Sequence, residues 1–204
     1  MYGSNSKNYG DGFTTMYGAN HEDIAYSYRT GNHGDGSWYS INGNIDYQRT
    51  SRKNKQRMIT FSYKINTQPQ TSNSNTGYED IHAKEEVDDL VKRLLLKNSQ
   101  SDGKTNTMEQ TFQVDYTTPI GELHTVEAGA KYIFRRNTSD NKLYEAAGGS
   151  DDYLYNEDRS SDYRHLNHIL AAYLGYTLKY KDFTFKPGVR YEQTVPVSYT
   201  HLRA

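Results

Sequence analysis

The stretch Tyr39-Ser-Ile-Asn-Gly-Asn-Ile-Asp-Tyr-Gln48 alternates with period two. Tyr39, Ile41, Gly43, Ile45 and Tyr47 fall on one side; Ser40, Asn42, Asn44, Asp46 and Gln48 fall on the other. Successive side chains of a strand point to opposite faces, so this segment reads as a strand with one apolar and one polar side. The pattern returns in Ile59, Phe61, Tyr63 and Ile65, then in Phe112, Val114 and Tyr116. It returns again in Val126, Ala128, Ala130, Tyr132 and Phe134, and finally in Phe183, Phe185, Pro187, Val189 and Tyr191. A weaker version, Ile24, Tyr26 and Tyr28, lies near the start. Leu166–Tyr180 is apolar on both sides, but its Tyr-Leu-Gly-Tyr-Thr-Leu run and the two-residue turn Lys181-Asp182 favour a strand in a hairpin. Pro187 is the one discordant residue, since a central strand loses a ladder hydrogen bond at proline.

Val, Ile, Leu and Phe together make 34 of 204 residues, below the roughly 20% at which chains begin to look disordered. Disorder also calls for high net charge and few aromatics. This chain has net charge −1 and 20 Tyr, so it retains ordering power. Mean hydropathy is −0.99, and no run approaches the ~18 apolar residues of a membrane-spanning helix. A pI near 6.7 with scattered Lys and Arg argues against a nucleic-acid partner. The one basic group, Arg49, Arg52, Lys53, Lys55 and Arg57, reads as a solvated turn. With no Cys, disulfides, thiolate metal sites and cysteine nucleophiles are excluded. Met1 is followed by Tyr-Gly-Ser-Asn without a basic and apolar leader, the expectation for a cytosolic chain or an internal piece of a longer one.

The links between the strands alternate in length. Gly31–Ser37 is expected to join the first two strands. Thr50–Arg57, Pro119–Leu123 and Lys181–Asp182 are short, whereas Gln68–Asn106 and Arg136–His165 are long and polar. Compact soluble domains rarely carry such long loops. Short turns at one end and long excursions at the other are the pattern of a transmembrane β-barrel. Inside the longest loop, Val87, Leu90, Val91, Leu94 and Leu95 follow helical spacing, with Asp88–Lys92 and Asp89–Arg93 as favourable pairs.

A half-apolar strand can face a protein core or a lipid. In a β-sandwich the apolar faces of two sheets meet, whereas in an outer-membrane barrel they face hydrocarbon and the polar faces line the lumen. Strand lengths near ten residues suit a tilted crossing of the bilayer. Tyrosine, amphipathic and suited to the membrane interface, stands where leucine would fill a core. On parity, Lys131, Arg135, Lys186, Arg190 and Glu192 would line the lumen.

Phe112-Gln-Val-Asp-Tyr-Thr-Thr-Pro-Ile-Gly-Glu-Leu-His-Thr-Val-Glu-Ala-Gly-Ala-Lys-Tyr132 resembles a hairpin of the outer-membrane β-barrel family related to TonB-dependent receptors. Ala171-Ala-Tyr-Leu-Gly-Tyr176 and Gly188-Val-Arg-Tyr-Glu192 follow in that family's order. The resemblance covers roughly residues 10–194. It implies an all-β antiparallel meander: a partial transmembrane barrel of about eight strands, with long extracellular loops and one short loop helix, from a parent with about 22 strands. It further implies a Gram-negative outer-membrane receptor that takes up a nutrient. An extracellular ligand would be bound by the loops 68–106 and 136–165, and a periplasmic energy-coupling protein would act through an N-terminal region not seen here. Residues 195–204 depart from the pattern and are expected to be a non-native or disordered tail.

Two rivals carry the same alternation. One is a surface adhesion or assembly protein built as a β-sandwich with a buried aromatic core. The other is an outer-membrane barrel enzyme, which needs a nucleophile or acid pair that the sequence does not display; no catalytic residue and no cofactor is therefore expected. His165 and His168, at odd spacing on a strand, would face opposite ways and not share a metal. The acidic group Asp151, Asp152, Glu157, Asp158 and Asp162 lacks the spacing of a calcium loop and reads as a solvated loop.

Overall fold

The computed structural model describes residues 1–18, 23–85 and 88–201. Eight antiparallel strands form one sheet: β1 (Tyr2–Tyr17), β2 (Ile24–Thr50), β3 (Met58–Ala83), β4 (Lys97–Ile120), β5 (His124–Ala147), β6 (Leu154–Tyr180), β7 (Phe183–Phe185) and β8 (Gly188–His201). Each of the first six pairs with the next, while β7 and β8 both pair with β6. The sheet is an open meander, a partial barrel with β1 at one edge.

The turns 51–57, 121–123 and 181–182 lie at one end, as expected. At the other end, however, the polar stretches read as loops are largely strand. β3 continues to Ala83, β4 begins at Lys97, and β5 and β6 meet across 148–153. These extensions carry Ser, Thr, Asn and Asp on both faces, so they show no period-two contrast; backbone ladders on both sides hold them. Gly31–Ser37 is likewise no link. It lies inside β2, paired on one side with Asp11–Asn5 and on the other with Gly77–Thr71. Lacking alternation, β1 also escapes sequence reading. The expected tail at 195–204 continues β8 instead: Val195 to His201 pair with His168 to Asp162, and residues 202–204 lie outside the described residues.

Pro187 stands in the break between β7 and β8. Its carbonyl accepts the Tyr176 N–H at 3.0 Å, and its missing donor costs no ladder bond. The helix is shorter than its spacing predicts: α1 (Asp88–Leu90) runs into a π-helical turn at Val91–Leu95, and Val87 lies outside the described residues. Both predicted ion pairs form, Lys92–Asp88 at 2.9 Å and Arg93–Asp89 at 2.8 Å. Val91 and Leu96 are buried, and Gly148 N–H donates to Lys92 C=O at 2.8 Å, so the turn caps the sheet end.

Register turns the strand patterns into continuous rows. Ile45, Tyr63, Phe112, Tyr132 and Leu170 lie side by side across five strands. The next row is Tyr47, Phe61, Val114, Ala130, Ala172 and Tyr191. This apolar band is uncovered: Ile45 is 71% exposed, Leu174 52% and Val189 71%. The buried residues at the same level, Ser40, Thr111, Ala171 and Thr177, all belong to the opposite, polar face. Among the described residues the buried apolar side chains are Val91, Leu96, Ala146 and Ala171, with no aromatic. A sandwich's buried aromatic core does not form within this sheet. An apolar face left exposed among the described residues, backed by a polar face, is the arrangement of a wall between lipid and a wet lumen.

Candidate functional site: the polar inner wall

The polar face is built from residues that alternate with the apolar rows. One row reads Asp46, Ser62, Gln113, Lys131, Ala171 and Glu192. A second reads Asn42, Asn66, Glu109, Arg135 and Asn167. Because neighbouring strands bring these side chains within reach, charge is mostly met locally. Arg135, directly opposite Glu109, donates from Nε and Nη2 to the same carboxylate oxygen at 2.9 and 2.6 Å. Such a charge-assisted pair holds both groups in place without apolar cover.

The predicted lumen residues share this face but do not form one cluster. Lys131 lines a hollow of about 680 Å³ with Asn44, Asp46, Lys64, Glu109 and Gln113. Arg190 donates to Glu192 at 2.6 Å, two residues along the same strand. Lys186 sits between β7 and β8, near the short-turn end, and pairs with Glu127 at 3.1 Å. His165 and His168 face opposite ways: His165 meets Ser198 at 2.6 Å, while His168 meets the Tyr132 hydroxyl at 2.7 Å on the apolar side.

Sequence reasoning missed the contact that ties three strands together. The Tyr173 hydroxyl donates to Asp115 Oδ1 at 2.6 Å, two strands away. Its ring lies over Gly129 on the strand between them; a Cβ there would stand 2.3 Å from Tyr173 Cε1. A glycine inside an otherwise alternating strand was the available signal, since it marks a close approach.

Beyond the membrane band, the inner face carries a second charged group. Glu145 takes hydrogen bonds from Asn156 Nδ2 at 2.7 Å and from Arg159, with Lys97 at 3.6 Å. The Asn156 hydrogen bond, then Lys97 and Arg159, hold the Glu145 carboxyl below its ordinary range against the opposing effect of burial. A depressed carboxylate stabilises the fold above its unfolded pKa, and that contribution is lost as pH falls through the folded value. Hydrogen-exchange protection factors at the start of β6, taken relative to the intrinsic rate at each pH, are therefore expected to fall as the medium is acidified below the usual carboxylate range. Glu145→Gln should flatten that acid response; an unchanged response in the variant would assign it to another group.

A family model described as "Outer membrane protein beta-barrel family" matches residues 49–200. No curated protein sequence matches the chain. Among solved structures, the ferric citrate transporter FecA in its unliganded form is similar at 12% identity and a TM-score of 0.34. That alignment covers 96% of this chain and 36% of the transporter, so the chain spans about a third of that protein's length.

Proposed function

Because the chain belongs to the outer membrane protein beta-barrel family and so lies in the outer membrane, we propose that it forms part of the wall of a receptor that takes up a nutrient. The observation that carries this reading is the polar face, mostly half-buried on β3 to β5, whose ion-paired side chains run on into polar strand extensions beyond the apolar band. Short turns of such barrels face the periplasm and long excursions face outward. The extensions of β3 to β6 would then stand outside the cell and meet the ligand first. Lys131, Arg135, Arg190 and Glu192 would line its path, with Lys186 close to the periplasmic end.

Energy from a periplasmic coupling protein is part of the proposal. The ordered motifs from Phe112 to Glu192 support it by their resemblance to barrels of receptors driven in that way. The role requires no bond-making chemistry on this chain. The test is uptake by cells that carry or lack the full-length protein. Loss of one nutrient on deletion, and arrest of its uptake when the proton gradient is collapsed, are the expected results. Uptake that continues without the gradient would make the protein a passive pore and overturn the coupled reading.

A further inference from the structure

The outer face holds a feature that lining a lumen does not explain. β2 keeps one register with β3 from Arg29 to Thr50, so its odd-numbered residues stay on the lipid side throughout. Above the apolar band, that side opens into a hollow of about 730 Å³. His33 lies six residues before Tyr39, or about 20 Å further along the strand at ~3.3 Å per residue. The hollow therefore faces sideways, outside the bilayer and away from the lumen.

Its construction follows from register. The floor is glycine: Gly31 and Gly77 are directly opposite each other, and a Cβ on Gly77 would meet nothing within 4 Å. On one side of the floor stands the row Tyr9, His33 and Asn75; on the other stand Arg29 and Glu79. Asp11 borders the floor on β1, with its Oδ1 3.7 Å from the Cβ position of Gly31. The 148–153 turn forms a rim from above, held by Gly149 N–H to Tyr78 C=O at 3.1 Å and Asn98 Nδ2 to Ser150 C=O at 3.0 Å. Tyr9 is 68% exposed, yet its ring is braced against His33 at 4.6 Å between centroids. Arg29 and Glu79 face each other without forming an ion pair among the described residues.

We propose that this hollow binds a saccharide. The chemistry narrows by elimination. Asp11, Glu79 and Asp151 outnumber the single Arg29 lining it, which disfavours phosphate and other anions. Among the described residues no group of His, Asp and Glu converges to hold a metal. An apolar ligand would leave these polar groups desolvated and unmatched. An uncharged polyol fits: carboxylates and the Asn75 amide accept from hydroxyls, Arg29 and the same amide donate to them, and the Tyr9 ring offers a face for sugar C–H bonds. The sugar can come from a glycolipid of the outer leaflet or from a free oligosaccharide, since the hollow is open to both.

The experiment uses the full-length protein in lipid nanodiscs, with calorimetric titration of cellohexaose, maltohexaose and mannohexaose, and of purified lipopolysaccharide. Saturable binding of a hexasaccharide identifies a free glycan. Binding of lipopolysaccharide alone, in competition with its lipid-free core oligosaccharide, identifies the glycolipid. In either case Tyr9→Ala should weaken binding about tenfold. Gly77→Phe, which fills open space on an ordinary strand backbone, should abolish it without lowering the thermal midpoint. Nutrient uptake should be unaffected by Tyr9→Ala, so failure here leaves the receptor reading standing, and the reverse. No binding of any of these saccharides, or binding that both substitutions leave unchanged, would overturn the proposal.

Discussion

Val114→Arg is expected to cost about 2–4 kcal/mol of stability in a bilayer, while Gln113→Arg, one residue earlier, should cost less than about 1 kcal/mol. Val114 stands in the middle of the apolar band, between Phe61 on β3 and Ala130 on β5. An arginine there must drag its charge into hydrocarbon or distort the lipid around it. Gln113 points the other way, into the hollow lined by Asp46, Glu109, Lys64 and Lys131, where an added guanidinium stays in water among charges of both signs. The measurement is the urea midpoint of the full-length protein refolded into vesicles, with recovery in the outer-membrane fraction as the cellular counterpart. Equal losses from both substitutions would mean that the two faces are not lipid and lumen.

Gly129→Val should destabilise the barrel wall by about 2–4 kcal/mol, combining overpacking with a lost hydrogen bond to a charged acceptor. The added Cβ would lie 2.3 Å from Tyr173 Cε1 and 2.6 Å from Asp115 Oδ1, so ring and carboxylate cannot both keep their places. Tyr173→Phe removes only the hydrogen bond and should cost about 1–2 kcal/mol. In the double variant Gly129→Val/Tyr173→Ala, the steric part should be relieved, and the two losses should add to less than their sum. Strict additivity in urea unfolding would show that the ring does not cross the glycine.

The apolar and polar faces of β2 to β5, the three short turns and the parity of Lys131, Arg135, Arg190 and Glu192 were legible because alternation survives wherever one face meets lipid. The same logic explains what was not legible. Past the band, both faces of β3, β4 and β5 meet water, so Gln68 to Asn75 and Asn98 to Thr107 carry no contrast and resemble loops. The same absence conceals β1 and the Gly31–Ser37 part of β2. Glu109, Glu127 and Asp115 find their partners at sequence separations of 26, 59 and 58 residues, which only the fold reveals. The Tyr9 hollow likewise needs three strands and a distant turn.

By itself, the sequence determined that this is a β protein with two unlike faces, because a period of two places every second side chain on the same side. It also determined that no helix crosses a membrane. It could not determine what the apolar face meets, since a sandwich and a barrel call for identical alternation. Tertiary structure decided that: among the described residues no second layer covers Ile45, Phe112 or Leu170, while Ser40 and Thr111 are buried on the opposite face. The 20 tyrosines thus follow from local pattern in their spacing. The environment of those on the apolar face was settled only by how the strands line up and which way the sheet turns.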